Sequence, residues 1–237
     1  MKAIILAAGQ GIRLGNNFNE LPKCLLKIGN KTILEKQLET LKNVGVIDIS
    51  IVIGAKGDCW TQRTFDRINN LCEKVILNFD NDITLNAFST YLGFRYSKED
   101  DILIMDGDLV YNDELLDKII SSKYENIMVT KAAGSRKEIG CRLEVDHNDK
   151  LIKIGKNIID IKFPWHINSG ILKIGEKSYD SFYEQLKDQK YIGEELDAPI
   201  REFIKYYCIN ILKTSDKEWI NINTQNDLKK AIDLFFN

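Results

Sequence analysis

A short apolar strand runs into Ala7-Ala8-Gly9-Gln10-Gly11, four of them with little or no side chain, and two cations, Arg13 and Lys23, follow. Small residues at a strand exit let a ligand lie against backbone N–H groups, which cradle anionic oxygens. An arginine can fork across two phosphate oxygens, and a lysine whose backbone is stiffened by a preceding proline, here Pro22, adds a point charge. Together they resemble a clamp for a triphosphate, with Leu6 through Gly11 against the bound ligand. The plainer alternative is a pair of ordinary surface cations, which the glycine turn weakens. Neither common phosphate loop fits: Leu14 stands where G-x-G-x-x-G needs its third glycine, and G-x-x-x-x-G-K-[ST] does not occur.

A second group lies in "DILIMDGDLVYND", where an apolar run ends in Asp106-Gly107-Asp108. Carboxylates at the carboxyl end of a parallel strand lie where α/β sheets place ligands, and Mg²⁺ takes carboxylate together with phosphate and water oxygens. Asp108 is therefore the first metal-ligand candidate, with Asp106 beside the ligand. The alternative is a solvated turn in which both carboxylates cap backbone groups.

The elements that must hold these groups alternate between strand and helix. Strands are expected at Ala3–Leu6, Ile49–Ile53, Lys74–Leu77, Ile102–Met105, Ile127–Val129, Cys141–Val145, Ile152–Ile154, Ile171–Ile174 and Ile209–Leu212. This order predicts an α/β fold with a mixed, mostly parallel sheet covered on both faces. Over Thr32–Val44 the apolar residues recur at three- and four-residue steps, Thr32 and Glu35 make a capping-box pattern, and Gly45 stands where a helix would end. Further helices are expected at Glu176–Leu186, Glu194–Tyr207 and Thr224–Phe236, and Glu125 to about Phe163 reads as a small antiparallel flap.

With 237 residues, 44% of them hydrophobic, the chain can bury one core, so residues 1–237 are expected to form a single domain. Lysine and arginine number 33 against 35 acids, which gives no basic excess for nucleic acid. No apolar run reaches about 18 residues, and no secretory segment is evident, so a cytoplasmic protein without a membrane partner is expected. Five dispersed cysteines suggest reduced thiols rather than a disulfide framework.

"LAAGQGIRLG…LPKCLLKIGNKTILEKQLETLKNVG", "MDGDLVYN" and "WININTQNDLKKAI" together resemble the nucleotidyltransferase superfamily that makes NDP-sugars and CDP-alcohols. The resemblance spans nearly the whole chain and implies a Rossmann-like, three-layer α/β/α sandwich of the glycosyltransferase-A type. It implies transfer of a nucleoside monophosphate from an NTP to a phosphorylated acceptor, with Mg²⁺ as cofactor and pyrophosphate as leaving group. On the matching motifs, Ala7, Ala8, Gly9 and Gly11 hold the nucleotide, Arg13 and Lys23 the triphosphate, and Asp108 the metal. Relatives often carry acids on the carboxy-terminal strand where this chain has Asn221 and Asn223. Either Asn223 is a neutral second ligand, or Asp106 or substrate oxygens replace it.

Asn86-x-x-Ser89, followed by an aromatic residue and a leucine, resembles the pattern of phosphocholine and aminoethylphosphonate cytidylyltransferases and favours CTP. A plain amphipathic helix over Ile83–Tyr96 would suit either nucleotide class. For the acceptor, Trp165 and Tyr191 could wall a pocket and Glu194, Glu195 or Asp197 could hold an amine, an arrangement suited to a choline-like cation. Asn168-Ser169-Gly170 resembles the sugar-binding Asn-x-Gly of the sugar-phosphate branch, so both acceptor classes stay open. The alternatives are a sugar-1-phosphate nucleotidyltransferase using another NTP, a nucleotide-sugar glycosyltransferase using Asp106-Gly107-Asp108, or a catalytically weak NTP-binding protein. Oligomeric state, a homodimer included, is not fixed by the sequence.

Overall fold

In the computed structural model, which describes residues 1–9, 21–97, 100–135, 140–156 and 163–236, the first strand, β1, covers Lys2–Ala7. Ala3, Ile5 and Ala7 pack to one side of the sheet and Ile4 and Leu6 to the other, so both faces are buried and the run is apolar throughout. The chain continues through two short strands, β2 (Lys27–Ile28) and β3 (Lys31–Thr32), then α1 (Ile33–Asn43), β4 (Asp48–Gly54), α2 (Gln62–Leu71), β5 (Lys74–Asn78) and α3 (Asn86–Phe94). Next come β6 (Ile102–Asp106), β7 (Leu109–Tyr111), α4 (Asp113–Ile120), β8 (Ile127–Ala132), β9 (Arg142–Val145), β10 (Leu151–Gly155) and β11 (His166–Ile174). The last elements are α5 (Glu176–Leu186), α6 (Asp197–Phe203), β12 (Asn210–Thr214), β13 (Trp219–Asn221) and α7 (Gln225–Phe235).

Among the described residues nine strands share one sheet. β5, β4, β1 and β6 lie parallel in that order. β11 runs antiparallel between β6 and β8, and β12 closes that edge parallel to β8. Leu34, Leu38 and Leu41 of α1, Ile68 of α2 and Leu115, Leu116 and Ile119 of α4 cover one face. Phe94 of α3, Tyr179, Phe182 and Leu186 of α5 and Ile200 and Phe203 of α6 cover the other. The expected three-layer sandwich is what forms. The flap is smaller than its sequence suggests: β9 and β10 make the antiparallel pair beside β11. Ile127–Thr130 is instead fully buried and enters the main sheet between β11 and β12.

The local geometry around α1 follows from its ends. Thr32 accepts from Glu35 N at 3.2 Å while Glu35 Oε2 accepts from Thr32 N at 2.6 Å, which completes the capping box. Gly45 takes φ +83, letting Val46 N donate to Leu41 O at 2.9 Å and closing the helix. Before α1, Pro22 opens a single 3₁₀ turn over Lys23–Leu25 that seats Cys24 and Leu25 in the core and leaves Lys23 at its edge. Two strands of three residues, β7 and β13, pair antiparallel and were too short to read as periodic patterns. Among the described residues no helix is long and apolar enough to cross a membrane. All five cysteines are free.

Candidate functional site

Lys23, Asp108 and Asn223 come from three distant stretches of chain and meet at one point. The Lys23 ammonium donates to Asp108 Oδ2 at 2.6 Å and to Asn223 Oδ1 at 3.0 Å. Each position has a backbone reason. Gly107 N donates to Leu6 O at 2.8 Å, and a Cβ at 107 would fall 2.8 Å from both that oxygen and the Ala7 Cβ, so glycine lets the 106–108 turn close against the exit of β1. Ile222 N donates to Asp108 O at 2.8 Å, which carries Asn223 from the end of β13 to the same turn. Asn223 N in turn donates to Asp227 Oδ2 at 3.1 Å, at the capped start of α7.

A carboxylate and an amide oxygen already converge on a cation here, and both are hard oxygen donors of the kind Mg²⁺ takes. Among the described residues no group of three or more His, Cys, Asp or Glu could hold a metal. A divalent ion at Asp108 and Asn223 would therefore complete its shell with phosphate and water oxygens, as Mg²⁺ commonly does.

A cleft of about 660 Å³ opens beside this point, lined by Leu6, Ala7, Ala8 and Gly9, by Lys23, by Asp106–Asp108 and by the loop from β5 to α3. Gln10, Gly11 and Arg13 lie outside the described residues. Asn86 and Ser89 line the cleft, each with its oxygen engaged as an acceptor: Asn86 Oδ1 accepts from Leu196 N at 2.6 Å, and Ser89 Oγ accepts from Asn78 Nδ2 at 3.2 Å. Asn78 and Asn81 organise this wall and were missed in the sequence. Asn78 Nδ2 also donates to Thr84 Oγ1 at 3.0 Å. Asn81 Oδ1 accepts from Ala55 N and Lys56 N at 3.1 and 2.8 Å, and its amide donates to Lys56 O at 2.8 Å and Ala8 O at 3.4 Å. The available signal was the run Asn78-Phe79-Asp80-Asn81-Asp82 at a strand exit, since such side chains bind nearby backbone.

A second cavity, of about 1260 Å³, shares Asn86, Asp106, Asp108, Lys156 and Glu195 with the first. Asn168 and Asp197 line it. Lys156, another residue missed in the sequence, pairs with Glu195. Asp197 Oδ2 takes Arg201 at 2.6 Å, and burial raises its carboxyl above the usual range. Two of the three acids expected to hold an amine, Glu195 and Asp197, thus already have cationic partners. Asp106 stands where the cavities meet; burial, reinforced by the charges of Asp108 and Glu195, raises its carboxyl to about 8. Gly170, at φ +88 inside β11, makes room for it, because a Cβ there would collide with the Asp106 carboxylate.

Trp165 and Tyr191 line neither cavity, which corrects the expectation that they wall an acceptor pocket. Trp165 packs on Ala133 and Ile167 under the Arg142 guanidinium, 4.3 Å from its ring centre. Tyr191 is buried against Ala87 and Ala198, its hydroxyl accepting from Gln185 Nε2 at 2.8 Å. The aromatic residue on the second cavity is Trp219, with the Lys131 ammonium 5.4 Å from its ring centre. Neither histidine lines either cavity: His147 contacts Asn148 on the surface, and His166 lies 3.3 Å from Thr130 Oγ1.

Comparisons with known proteins bear on the family and the fold. A family model described as a MobA-like NTP transferase domain matches residues 3–151. The bifunctional IPC transferase and DIPP synthase of Aquifex aeolicus is 27% identical over 97% of this chain and 50% of its own length. The chain thus spans about half of that relative. The CTP:phosphoglutamine cytidylyltransferase of Campylobacter jejuni is 26% identical over 98% of this chain and 100% of its own. Among solved structures, the inositol-1-phosphate CTP transferase from T. maritima superposes with a TM-score of 0.80 at 18% identity, covering 98% of this chain and 94% of that one, a likeness of fold.

Proposed function

Because this chain belongs to the MobA-like NTP transferase family, we propose that it transfers CMP from CTP to a small phosphorylated acceptor and releases pyrophosphate, with residues 1–237 acting as one domain. The observation that carries this reading is the Lys23 ammonium held between Asp108 and Asn223 beside the β1 exit, where the two cavities meet. The nucleotide occupies the smaller cleft, against Leu6 to Gly9 and the Asn78–Ser89 wall. The acceptor enters from the larger cavity, and their phosphates face one another at Asp106, Asp108 and Lys156. CTP is favoured by the Asn86-x-x-Ser89 pattern and by the full-length likeness to the Campylobacter cytidylyltransferase. A phosphocholine-like acceptor loses its expected cage with Trp165 and Tyr191, so a phosphonate, a sugar or polyol phosphate, or another phosphorylated small molecule is preferred.

The residues present suit a direct displacement. A phosphate monoester is already close to a dianion at neutral pH and attacks phosphorus without a general base. That accords with both histidines lying off the cavities. Lys156, whose Glu195 partner sits at the same junction, holds the acceptor phosphate and aligns its oxygen with the α-phosphorus. Lys23 leaves Asp108 for the triphosphate and, with Arg13, neutralises charge that grows on the departing pyrophosphate. Asp108 and Asn223 would hold Mg²⁺, which would supply positive charge against the phosphates and the departing pyrophosphate. Water is limited by the apolar floor of the larger cavity, which includes Ile104, Met128, Ile171 and Leu172.

The test is pyrophosphate release with each of the four NTPs, Mg²⁺ and a panel of phosphorylated acceptors. Release is expected with CTP and at least one acceptor. No release with any pair would remove the transferase reading.

A further inference from the structure

We infer that Gln37 is a positioning residue for the metal-binding turn, an amide clamp that fixes the backbone on both sides of Asp108. The inference rests on the transferase reading only in naming Asp108 as a metal ligand. Gln37 lies on the apolar stripe of α1, one turn from both Ile33 and Leu41, where a polar side chain is unexpected, and it is 1% exposed. Its Nε2 donates to Asp106 O at 2.9 Å and to Leu109 O at 2.9 Å. Those carbonyls end β6 and begin β7, so one nitrogen spans the turn that carries Asp106-Gly107-Asp108. Both partners are acceptors, which sets the amide's orientation: its nitrogen must face the turn. Its own Oε1 is buried without a partner. A group that leaves half its hydrogen-bonding capacity unused in the core is there for its two donors.

The clamp completes a three-sided grip. Gly107 N holds the turn to β1, Ile222 N holds Asp108 O to the segment after β13 that carries Asn223, and Gln37 holds the remaining side to α1. The turn consequently cannot shift without moving the nucleotide strand, the second ligand or the helix that follows Lys23. Mg²⁺ demands near-ideal octahedral geometry, so small rotations of the Asp108 backbone fall directly on ion affinity. Partners one bond removed from a metal ligand typically change affinity or activity by about 10–100-fold when lost.

Gln37→Met keeps the length and apolar fit but has no donors. With CTP and acceptor saturating, it is expected to raise the Mg²⁺ concentration at half-maximal rate about tenfold. The Mn²⁺ dissociation constant, read by electron paramagnetic resonance on the protein with CTP alone, is expected to rise in parallel. Leu41→Ala is the control for loss of stability: it opens a cavity in the same helix face, lowers Tm and leaves both metal midpoints in place. Should Gln37→Met fail to fold, Gln37→Asn retains the amide one methylene short of spanning both carbonyls, and the same shifts are expected from it. Metal midpoints unchanged in the folded variant, or shifted equally by Leu41→Ala, would overturn the clamp. A wild-type protein that binds Mn²⁺ but releases no pyrophosphate would instead count against the transferase reading, while the Mn²⁺ comparison still decides on Gln37.

Discussion

Replacing Lys23 with methionine should separate metal binding from turnover in opposite directions. The ammonium lies 2.6 Å from Asp108 Oδ2 and 3.0 Å from Asn223 Oδ1, so a divalent ion using those oxygens must displace it. At 2.6 Å and an effective dielectric constant of about 20, the gross attraction to Asp108 is about 6 kcal/mol. Hydration of the separated charges offsets most of this, and a charge-assisted hydrogen bond retains about 1.5–3 kcal/mol net. With that competitor removed, Mn²⁺ binding in the absence of nucleotide should tighten by about tenfold to a hundredfold, since each 1.4 kcal/mol is a factor of ten. Turnover should fall by about a hundredfold or more, because the same ammonium no longer meets charge developing on the leaving group. Electron paramagnetic resonance of free Mn²⁺ reads the first quantity and pyrophosphate release the second. Unchanged or weaker Mn²⁺ binding would show that the ion does not use Asp108 and Asn223. Near-normal turnover would show that Lys23 does not act on the triphosphate.

Other substitutions probe neighbouring parts of the same account. Asn223→Asp adds a carboxylate to the ligand pair and should lower the Mg²⁺ concentration at half-maximal rate several-fold; a constant midpoint would remove residue 223 from the ion. Lys156→Met should raise KM for the acceptor by about tenfold, the scale of one charged hydrogen bond, and spare KM for CTP; the reverse pattern would exchange the two cavities. Burial raises the thiols of Cys24 and Cys141 to about 12 and those of Cys59 and Cys72 in the same direction, whereas Cys208 is exposed. Iodoacetamide at pH 8 should therefore label about one thiol in the native protein, as mass spectrometry would count, and five only on denaturation. The raised thiols also set a pH dependence. Their stabilisation is intact below the unfolded value near 9 and is lost as pH rises toward 12. Each thiol raised to about 12 costs about 1.4 kcal/mol per pH unit over that window, and a Tm that climbs above pH 9 would contradict this sign.

Much of the frame could be read in the chain because burial on both faces leaves continuous apolar strands, and the capping box at Thr32 and the glycine at 45 mark α1 directly. Lys23, Asp108 and Asn223 were identified separately, as a cation after a proline, an acid at a strand end and an amide where acids are usual. No local pattern states that they touch, since they are brought together by β7 and β13, strands of three residues each, too short to show a period. Lys156 and Gln37 escaped for the same reason. Each acts on backbone or charge far away in sequence, and Gln37 disrupts an apolar stripe in a way that only its two carbonyl partners explain. Trp165 and Tyr191 misled because a large aromatic residue looks alike in sequence whether it packs a core or walls a cavity.

The central claim is that a nucleoside monophosphate moves to an acceptor phosphate at the Asp108 site. The most direct measurement follows radiolabel from [α-³²P]CTP in the presence of Mg²⁺ and an accepted phosphorylated substrate, for the wild-type protein and for Asp108→Ala. The account requires the label to appear in a product joined to the acceptor, with the rate reduced at least a hundredfold by Asp108→Ala while Tm stays close to wild type. Label that remains in CTP or emerges only as CMP, or an Asp108→Ala protein that transfers it at the wild-type rate, would contradict it.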